Sequence, residues 1–180
     1  MKFLGILLFC TLVYADAVDG RSALHNFVYY EEFNACKQCL KDGANVNVKN
    51  AAGLTPLHIA IKKRDLKMAQ LLLDYGANID AQDNRGNTPL ILAVKKKNLA
   101  LVTFVALRGA DLDLANDEGI SPLHQAAFNG TEKIIAFLLS AGADADVQNN
   151  EGYTPYDFAK AAKHGGAMNV LTIYMTKEEK

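Results

Sequence analysis

The chain has 180 residues, of which 50% are hydrophobic and 22% are charged, and its formal net charge is −1. This apolar content is too high for a disordered chain and sufficient for a packed core. With a pI of about 6.4, the chain lacks the strongly basic composition of proteins that bind nucleic acid, so we predict no nucleic-acid partner.

The N-terminal segment has the pattern of an export signal. A lysine precedes an apolar run over residues 3–13, and Ala15 and Ala17 then form the A-x-A pattern that signal peptidases cleave. The run is about half as long as the roughly 20 residues needed to cross a bilayer. We therefore predict a signal peptide over residues 1–17 and an exported mature protein without a membrane span, which is periplasmic if the source is Gram-negative and secreted otherwise.

A spacing of 33 residues runs through the rest of the chain. The segments LTPLHIA, NTPLILA, ISPLHQA and YTPYDFA contain the four prolines of the chain, Pro56, Pro89, Pro122 and Pro155. A glycine recurs at the same interval before these segments, at Gly43, Gly76, Gly109 and Gly142. A spacing held over successive intervals predicts a repeat protein.

The sequence pattern of each repeat predicts two short helices followed by a polar loop. The residue before each proline is a predicted N-cap, and the proline itself suits the first helical position. These N-caps are Thr55, Thr88, Ser121 and Thr154. In the second repeat, Leu66, Ala69, Leu72 and Leu73 form the predicted inward face of the second helix. Because one helix pair cannot bury its apolar faces alone, we expect stacked pairs in an all-α solenoid.

These motifs resemble the ankyrin repeat, which has a 33-residue unit and the signature T-P-L-H-x-A. The resemblance covers essentially residues 18–180 as one repeat domain and implies helix-turn-helix units with β-hairpin fingers. About five repeats are expected, at about 18–49, 50–82, 83–115, 116–148 and 149–180. The first of them is degenerate, with SALHNF in place of the signature.

The resemblance also implies a function. Ankyrin-repeat proteins typically bind a protein partner along the fingers and the face of the first helices, so we expect a monomeric, non-catalytic binding protein. Some small periplasmic members of the family support oxidative-stress defence alongside a catalase, which makes a stress-defence enzyme one candidate partner. A secreted effector, or an inhibitor of an extracellular enzyme or toxin, is the alternative.

The histidines are predicted to be structural. His25, His58 and His124 occupy the same position in their repeats, where the resemblance implies hydrogen bonds within the repeat and to the next one. Equivalent positions are about one repeat apart and do not converge on a metal ion. We therefore predict neither a metal nor a cofactor.

Cys36 and Cys39 form a C-x-x-C pair. In the repeat register both face inward on a second helix, which favours two buried apolar side chains. An oxidised pair is the alternative in an exported protein, and a thiol-redox protein is the third functional hypothesis. No other motif indicates catalysis, so we predict that the protein is not an enzyme.

Two basic runs, AIKKRD and AVKKKN, recur at the 33-residue spacing at the end of predicted first helices. One interpretation is a solvated helix end, where cations interact favourably with the helix dipole. The other is a binding surface for a partner with an acidic segment. Its candidates are the four lysines Lys62, Lys63, Lys95 and Lys96, named here the lysine cluster, with Tyr29, Tyr30 and Phe128 beside them and Arg85 on a finger.

Signal peptidase cleavage after Ala17 or Ala15 predicts a mature chain that begins at Val18 or Asp16. N-terminal sequencing of the protein from the exported fraction tests this. Protein found only in the cytosol, with Met1 intact, would contradict export.

Overall fold

The computed structural model of the protein describes residues 22–178. The predicted signal peptide and its cleavage site therefore lie outside the described residues. The chain divides into two compact units at the bond between Asn84 and Arg85. We call residues 22–84 the first unit and residues 85–178 the second unit, and each is described by itself.

Helices make up the regular secondary structure of residues 22–178, and no strand occurs in that range. In the first unit they are α1 (Ala23–Tyr29), α2 (Phe33–Lys41), α3 (Pro56–Lys63) and α4 (Leu66–Asp74). In the second unit they are α5 (Pro89–Lys95), α6 (Leu99–Ala106), α7 (Pro122–Phe128), α8 (Glu132–Ser140), α9 (Pro155–Ala161) and α10 (Gly165–Glu178). These helices, arranged in pairs, fit an all-α repeat solenoid.

Neighbouring helix pairs within each unit pack on one another. In the first unit, α1 packs against α2 and against α3, the first helix of the next pair. In the second unit, α7 packs against its own partner α8 and against both α5 and α9. The apolar side chains between these helices, such as Leu90 and Leu123, are fully buried.

The predicted N-caps of the first helices are confirmed. The Oγ1 atom of Thr88 accepts a hydrogen bond from the Ile91 N–H at 3.2 Å, and Ser121 and Thr154 cap α7 and α9 in the same way. A proline occupies the first position of α3, α5, α7 and α9. These local signals set the start of each first helix because they satisfy amide groups that would otherwise have no partner.

The predicted inward face of α4 is partly wrong. The buried side chains are Met68, Ala69, Leu71 and Leu72, whereas Leu66 is 36% exposed and Leu73 is only half-buried. The Asp65 carboxylate caps α4 by accepting from the Met68 N–H at 2.9 Å. Leu66 is therefore the first residue of the helix and lies at its edge, where few neighbours can cover it.

The predicted β-hairpin fingers are not confirmed, because the loops are turns without a β-ladder in the described residues. In the loop of residues 116–120, the Asn116 N–H donates to the Ile120 carbonyl at 3.2 Å. The Asn116 side-chain oxygen accepts from the N–H groups of Glu118 and Ile120, at 3.0 and 2.9 Å. The side chain of Asn116 thus closes a tight turn in place of the backbone pairs of a hairpin.

Successive loops of the second unit touch through their backbones. Gly119 has a φ of +75°, and a Cβ atom at this position would lie 2.5 Å from the Asn150 nitrogen. The Asn150 N–H donates to the Glu118 carbonyl at 3.3 Å, and its side-chain amide donates to the Asp117 carbonyl at 2.8 Å. Glycine is therefore required at position 119 by both its conformation and this close approach.

The turn between the two helices of a pair contains a left-handed residue. Glu31, Arg64, Lys97 and Lys163 have φ between 52° and 62°, and Gly130 occupies the equivalent position with a φ of 65°. A non-glycine residue in this conformation costs about 1–2 kcal/mol.

We expect Lys97→Gly to raise the free energy of unfolding by about 0.5–1 kcal/mol, because it removes this strain but increases the freedom of the unfolded chain. Gly130→Ala is the matched opposite change, since its Cβ would lie 2.7 Å from the ring of His164. It should destabilise the protein by about 1–2 kcal/mol. Urea denaturation at equilibrium measures both changes, and a Lys97→Gly variant less stable than the parent would contradict the strain.

Candidate functional site

His124 joins two successive repeats of the second unit. Its Nε2 atom lies 2.9 Å from the Tyr153 carbonyl oxygen, and its Nδ1 atom lies 2.9 Å from the Ser121 hydroxyl oxygen. Because a carbonyl oxygen only accepts, Nε2 carries the proton and Nδ1 is the acceptor. Burial, opposed by the hydrogen bond to Tyr153, lowers the pKa of His124 below its usual value of 6.5. The imidazole is thus a neutral structural link.

The other histidines of the motif have the same environment. The Nε2 atom of His25 lies 2.8 Å from the Leu54 carbonyl oxygen in the next repeat, and the Nδ1 atom of His58 lies 2.8 Å from the Thr55 hydroxyl oxygen. For His25 and His124 the predicted bonds to both repeats are confirmed. Within residues 22–178, no group of His, Cys, Asp and Glu side chains is placed to hold a metal ion.

Cys36 is a free thiol in the structure, which therefore does not contain the alternative disulfide between Cys36 and Cys39. Both side chains are buried within α2. Residues three apart on a helix have Cβ atoms about 5–6 Å apart, whereas a disulfide needs about 3.5–4.5 Å. Burial, reinforced by the charge of Asp65, raises the pKa of Cys36 to about 12. A thiol that stays protonated at neutral pH is a poor nucleophile, which weighs against redox catalysis.

Part of the predicted binding surface lies in the first unit, where α1 faces the end of α3. The Lys63 ammonium forms an ion pair with Glu31 at 2.9 Å and lies 5.1 Å from the centre of the Tyr29 ring. The side-chain bond to Glu31 raises the pKa of Lys63. Tyr30 packs edge-on against Tyr29, and Lys62 is exposed. The structure therefore brings Tyr29, Tyr30 and Lys63 together, but Lys63 already has an anionic partner.

The remaining lysines and Arg85 lie in the second unit. Lys95 ends α5 and donates to the Asn87 side-chain oxygen at 2.7 Å. Lys96 is the C-cap of the same helix, and Arg85 is exposed on a loop. Lys62 and Lys63 belong to the first unit, so the juxtaposition of the lysine cluster stays a prediction.

Phe128 lies at a cleft that the second unit forms between its loops and its first helices. The cleft has a volume of about 510 Å³. Its lining combines carboxylates from two successive loops with aromatic side chains from α7 and α9, Phe128 and Phe158, which we name the aromatic floor. We name it the acidic cleft; it is lined by Asp117, Glu118, Ile120, Gln125, Phe128, Asn149, Asn150, Glu151 and Phe158.

A second depression adjoins the acidic cleft and shares Phe128 and Phe158 with it. It has a volume of about 550 Å³ and includes the ring of Tyr153 and the side chain of Lys160. Phe128 is 56% exposed and Tyr153 is 52% exposed. Exposed aromatic side chains beside a concave surface are typical of protein-binding sites.

Sequence reasoning identified Phe128 as a candidate but missed Glu151, Tyr153 and Phe158. The repeat register carried a usable signal. Arg85 was selected on its loop, and Glu118 and Glu151 follow it at intervals of 33 residues. Equivalent loop positions in neighbouring repeats meet at one face, so an acidic pair at these positions could have been inferred.

The family model for ankyrin repeats matches the chain three times, over residues 4–83, 24–114 and 90–177. The chain belongs to the ankyrin repeat family. Ankyrin repeats generally mediate protein–protein interaction, and the architecture is consistent with a non-catalytic binding module. No curated protein matches the chain. None of the helices between residues 22 and 178 is long and apolar enough to cross a membrane.

The lowered pKa of His124 predicts acid sensitivity of this ankyrin protein. Below pH 6.5 the unfolded chain binds a proton at this site more readily than the folded chain. The contribution of neutral His124 to the free energy of unfolding is therefore complete above pH 6.5 and is lost as the pH falls through the pKa of the folded state. The slope cannot exceed about 1.4 kcal/mol per pH unit for one group.

Urea denaturation at pH 7.5 and at pH 5.5 measures this loss in the parent chain and in His124→Gln. We expect the variant to be less stable at both values but to lose less stability on acidification. Equal losses in the two proteins would show that His124 does not contribute.

Proposed function

We propose that this ankyrin-repeat protein is an exported, non-catalytic module that binds a protein partner through the ends of its first helices and its loops. The observation that supports this most strongly is the acidic cleft. Two loops and two first helices contribute to one concave surface there, and Phe128 in it and Tyr153 in the adjoining depression are both more than half exposed. A partner that covers these rings would remove apolar area from water.

The chemistry of the cleft favours binding over catalysis. It contains carboxylates, amides and aromatic rings, but its lining has no serine, cysteine or histidine side chain that could serve as a nucleophile or base. The imidazole of His124, which packs against Phe158, is buried and uses both ring nitrogens in structural hydrogen bonds. The proposal therefore assigns the cleft to recognition.

Export is part of the proposal and rests on the pattern of residues 1–17. The partner would then reside in the periplasm of a Gram-negative cell or outside other cells. A stress-defence enzyme is one candidate among such partners. We further propose that the module acts as a monomer.

The lysine cluster is the second candidate surface and is proposed to take an acidic segment of the partner. Its charge is less available than the sequence suggests, because Lys63 pairs with Glu31 and Lys95 donates to Asn87. Exposed ion pairs contribute little and are screened by salt. The lysine cluster is therefore the weaker of the two surfaces.

The tagged mature chain, incubated with the exported fraction of the native cells, should capture a reproducible partner. Phe128→Ala should weaken capture by about tenfold or more if the ring is a central contact. Leu107→Ala is the matched control, because Leu107 is 76% exposed in the same unit and lies outside both depressions.

A second arm tests the lysine cluster with Lys62→Glu and Lys96→Glu combined. Capture that survives this double change shows that the cluster is a solvated helix end. If Phe128→Ala and Leu107→Ala have equal effects, the cleft is not the binding surface. If the chain captures no partner from any native fraction, the proposed function is wrong.

A further inference from the structure

We propose that the acidic cleft binds a peptide segment in which a lysine or arginine stands next to a large apolar residue. This inference deepens the proposed function and rests on it, because it specifies the chemistry of the partner at the same surface. The basic side chain would lie between the loop carboxylates, and the apolar side chain would cover the aromatic floor.

Contacts to backbone carbonyls tie together the two loops that carry the carboxylates. The Asn150 N–H donates to the Glu118 carbonyl at 3.3 Å, which ties the loop that carries Glu151 to the loop that carries Glu118, and both residues line the acidic cleft. Both side chains are exposed, and neither has an ion-pair partner among residues 22–178. Two carboxylates without an ion-pair partner that line one cleft make its potential negative, and that potential attracts a cation.

One ring of the aromatic floor, that of Phe158, is held in place before any ligand arrives. Phe158 packs edge-on against His124, with ring centroids 5.1 Å apart and an angle of 72° between the planes. The carbonyl of Tyr153 is bonded to both His124 and the Asn149 N–H, at 2.9 and 3.0 Å. Guanidinium groups and the alkyl stems of basic side chains pack well on aromatic faces. A floor that is already ordered lowers the entropy cost of binding.

The charges along the two depressions also give the ligand a direction. Asp117, Glu118 and Glu151 line the acidic cleft, whereas Lys160 lines the adjoining depression. The carboxylate of Asp157 is already used, since it accepts from the N–H and the hydroxyl of Thr154 at 3.0 and 2.8 Å. The basic residue therefore fits toward the loops, and the apolar residue fits over Phe128 and Tyr153. An acidic segment would be repelled from the acidic cleft.

The test is a selection of short random peptides, displayed on phage, against the full mature chain. We expect the selected peptides to be enriched in lysine or arginine beside leucine, phenylalanine or tyrosine. Synthetic versions are then measured by fluorescence anisotropy. Binding should weaken when NaCl is raised from about 0.05 to about 0.3 M, because the attraction between exposed charges is screened.

The decisive variants reverse the loop charge. Glu118→Lys combined with Glu151→Lys should raise the Kd of the selected peptide by at least about tenfold, as should Phe128→Ala. Glu132→Lys combined with Asp146→Lys changes the net charge equally at exposed positions outside the cleft. This control should change the Kd by less than about twofold.

A reciprocal charge exchange distinguishes a loss of charge complementarity from misfolding of the variant. The selected peptide with its basic residue replaced by glutamate should bind the Glu118→Lys, Glu151→Lys chain better than the parent chain. Selected peptides without a basic residue, an unchanged Kd in the double variant, or no selected peptide at all would each overturn the inference. If the native partner is still captured in those cases, the protein-binding function stands and only the assigned chemistry is wrong.

Discussion

Each helix pair of this chain has apolar faces that it cannot bury by itself, and the burial of those faces against a neighbouring pair is the constraint on which the rest depends. Leu90 and Leu123, on consecutive first helices of the second unit, lose all contact with water in this way. The hydrogen bond from His124 to the Tyr153 carbonyl adds a directional link to non-directional burial. Together, the apolar burial and this hydrogen bond fix the position of each repeat relative to the next one within a unit.

Because each repeat has a fixed position relative to the next, residues that are far apart in sequence can form one surface. Gly119 allows the backbone of one loop to approach the next, and the bonds from Asn150 then lock the two loops together. As a result, Glu118 and Glu151 line one cleft although 33 residues separate them. None of the apolar core depends on these carboxylates, so the scaffold is compatible with many different surfaces, and the fold alone does not name the partner.

The two candidate surfaces, the lysine cluster and the acidic cleft, differ in whether their charges are already paired. Lys63 is largely satisfied inside its own unit, because Glu31 and the Tyr29 ring both lie against its ammonium group. The carboxylates of Glu118 and Glu151 have no such internal partner in the described chain. Unsatisfied charge beside exposed aromatic rings is a stronger indication of recognition than charge that is already paired. The basic run AIKKRD, which contains Lys63, is thus less informative than two isolated glutamates.

The sequence by itself determined the helices and their caps, because these depend on interactions within a few residues. Thr88, Pro89 and the buried residues that follow define α5 without reference to any other repeat. It also determined the repeat register, and with it the structural role of His124. Local pattern was less reliable at Leu66, where a periodic apolar position proved to be the exposed edge of α4.

The tertiary structure alone decided which side chains meet. The packing of α2 leaves Cys36 a buried free thiol, which the C-x-x-C spacing does not express. The acidic cleft exists only where two repeats are stacked, since Glu118, Phe128 and Glu151 come from different loops and helices. Charge pairing was also hidden, because the contact between Lys63 and Glu31 joins two repeats. Contacts between repeats depend on packing distance, and no periodicity within a single repeat encodes that distance.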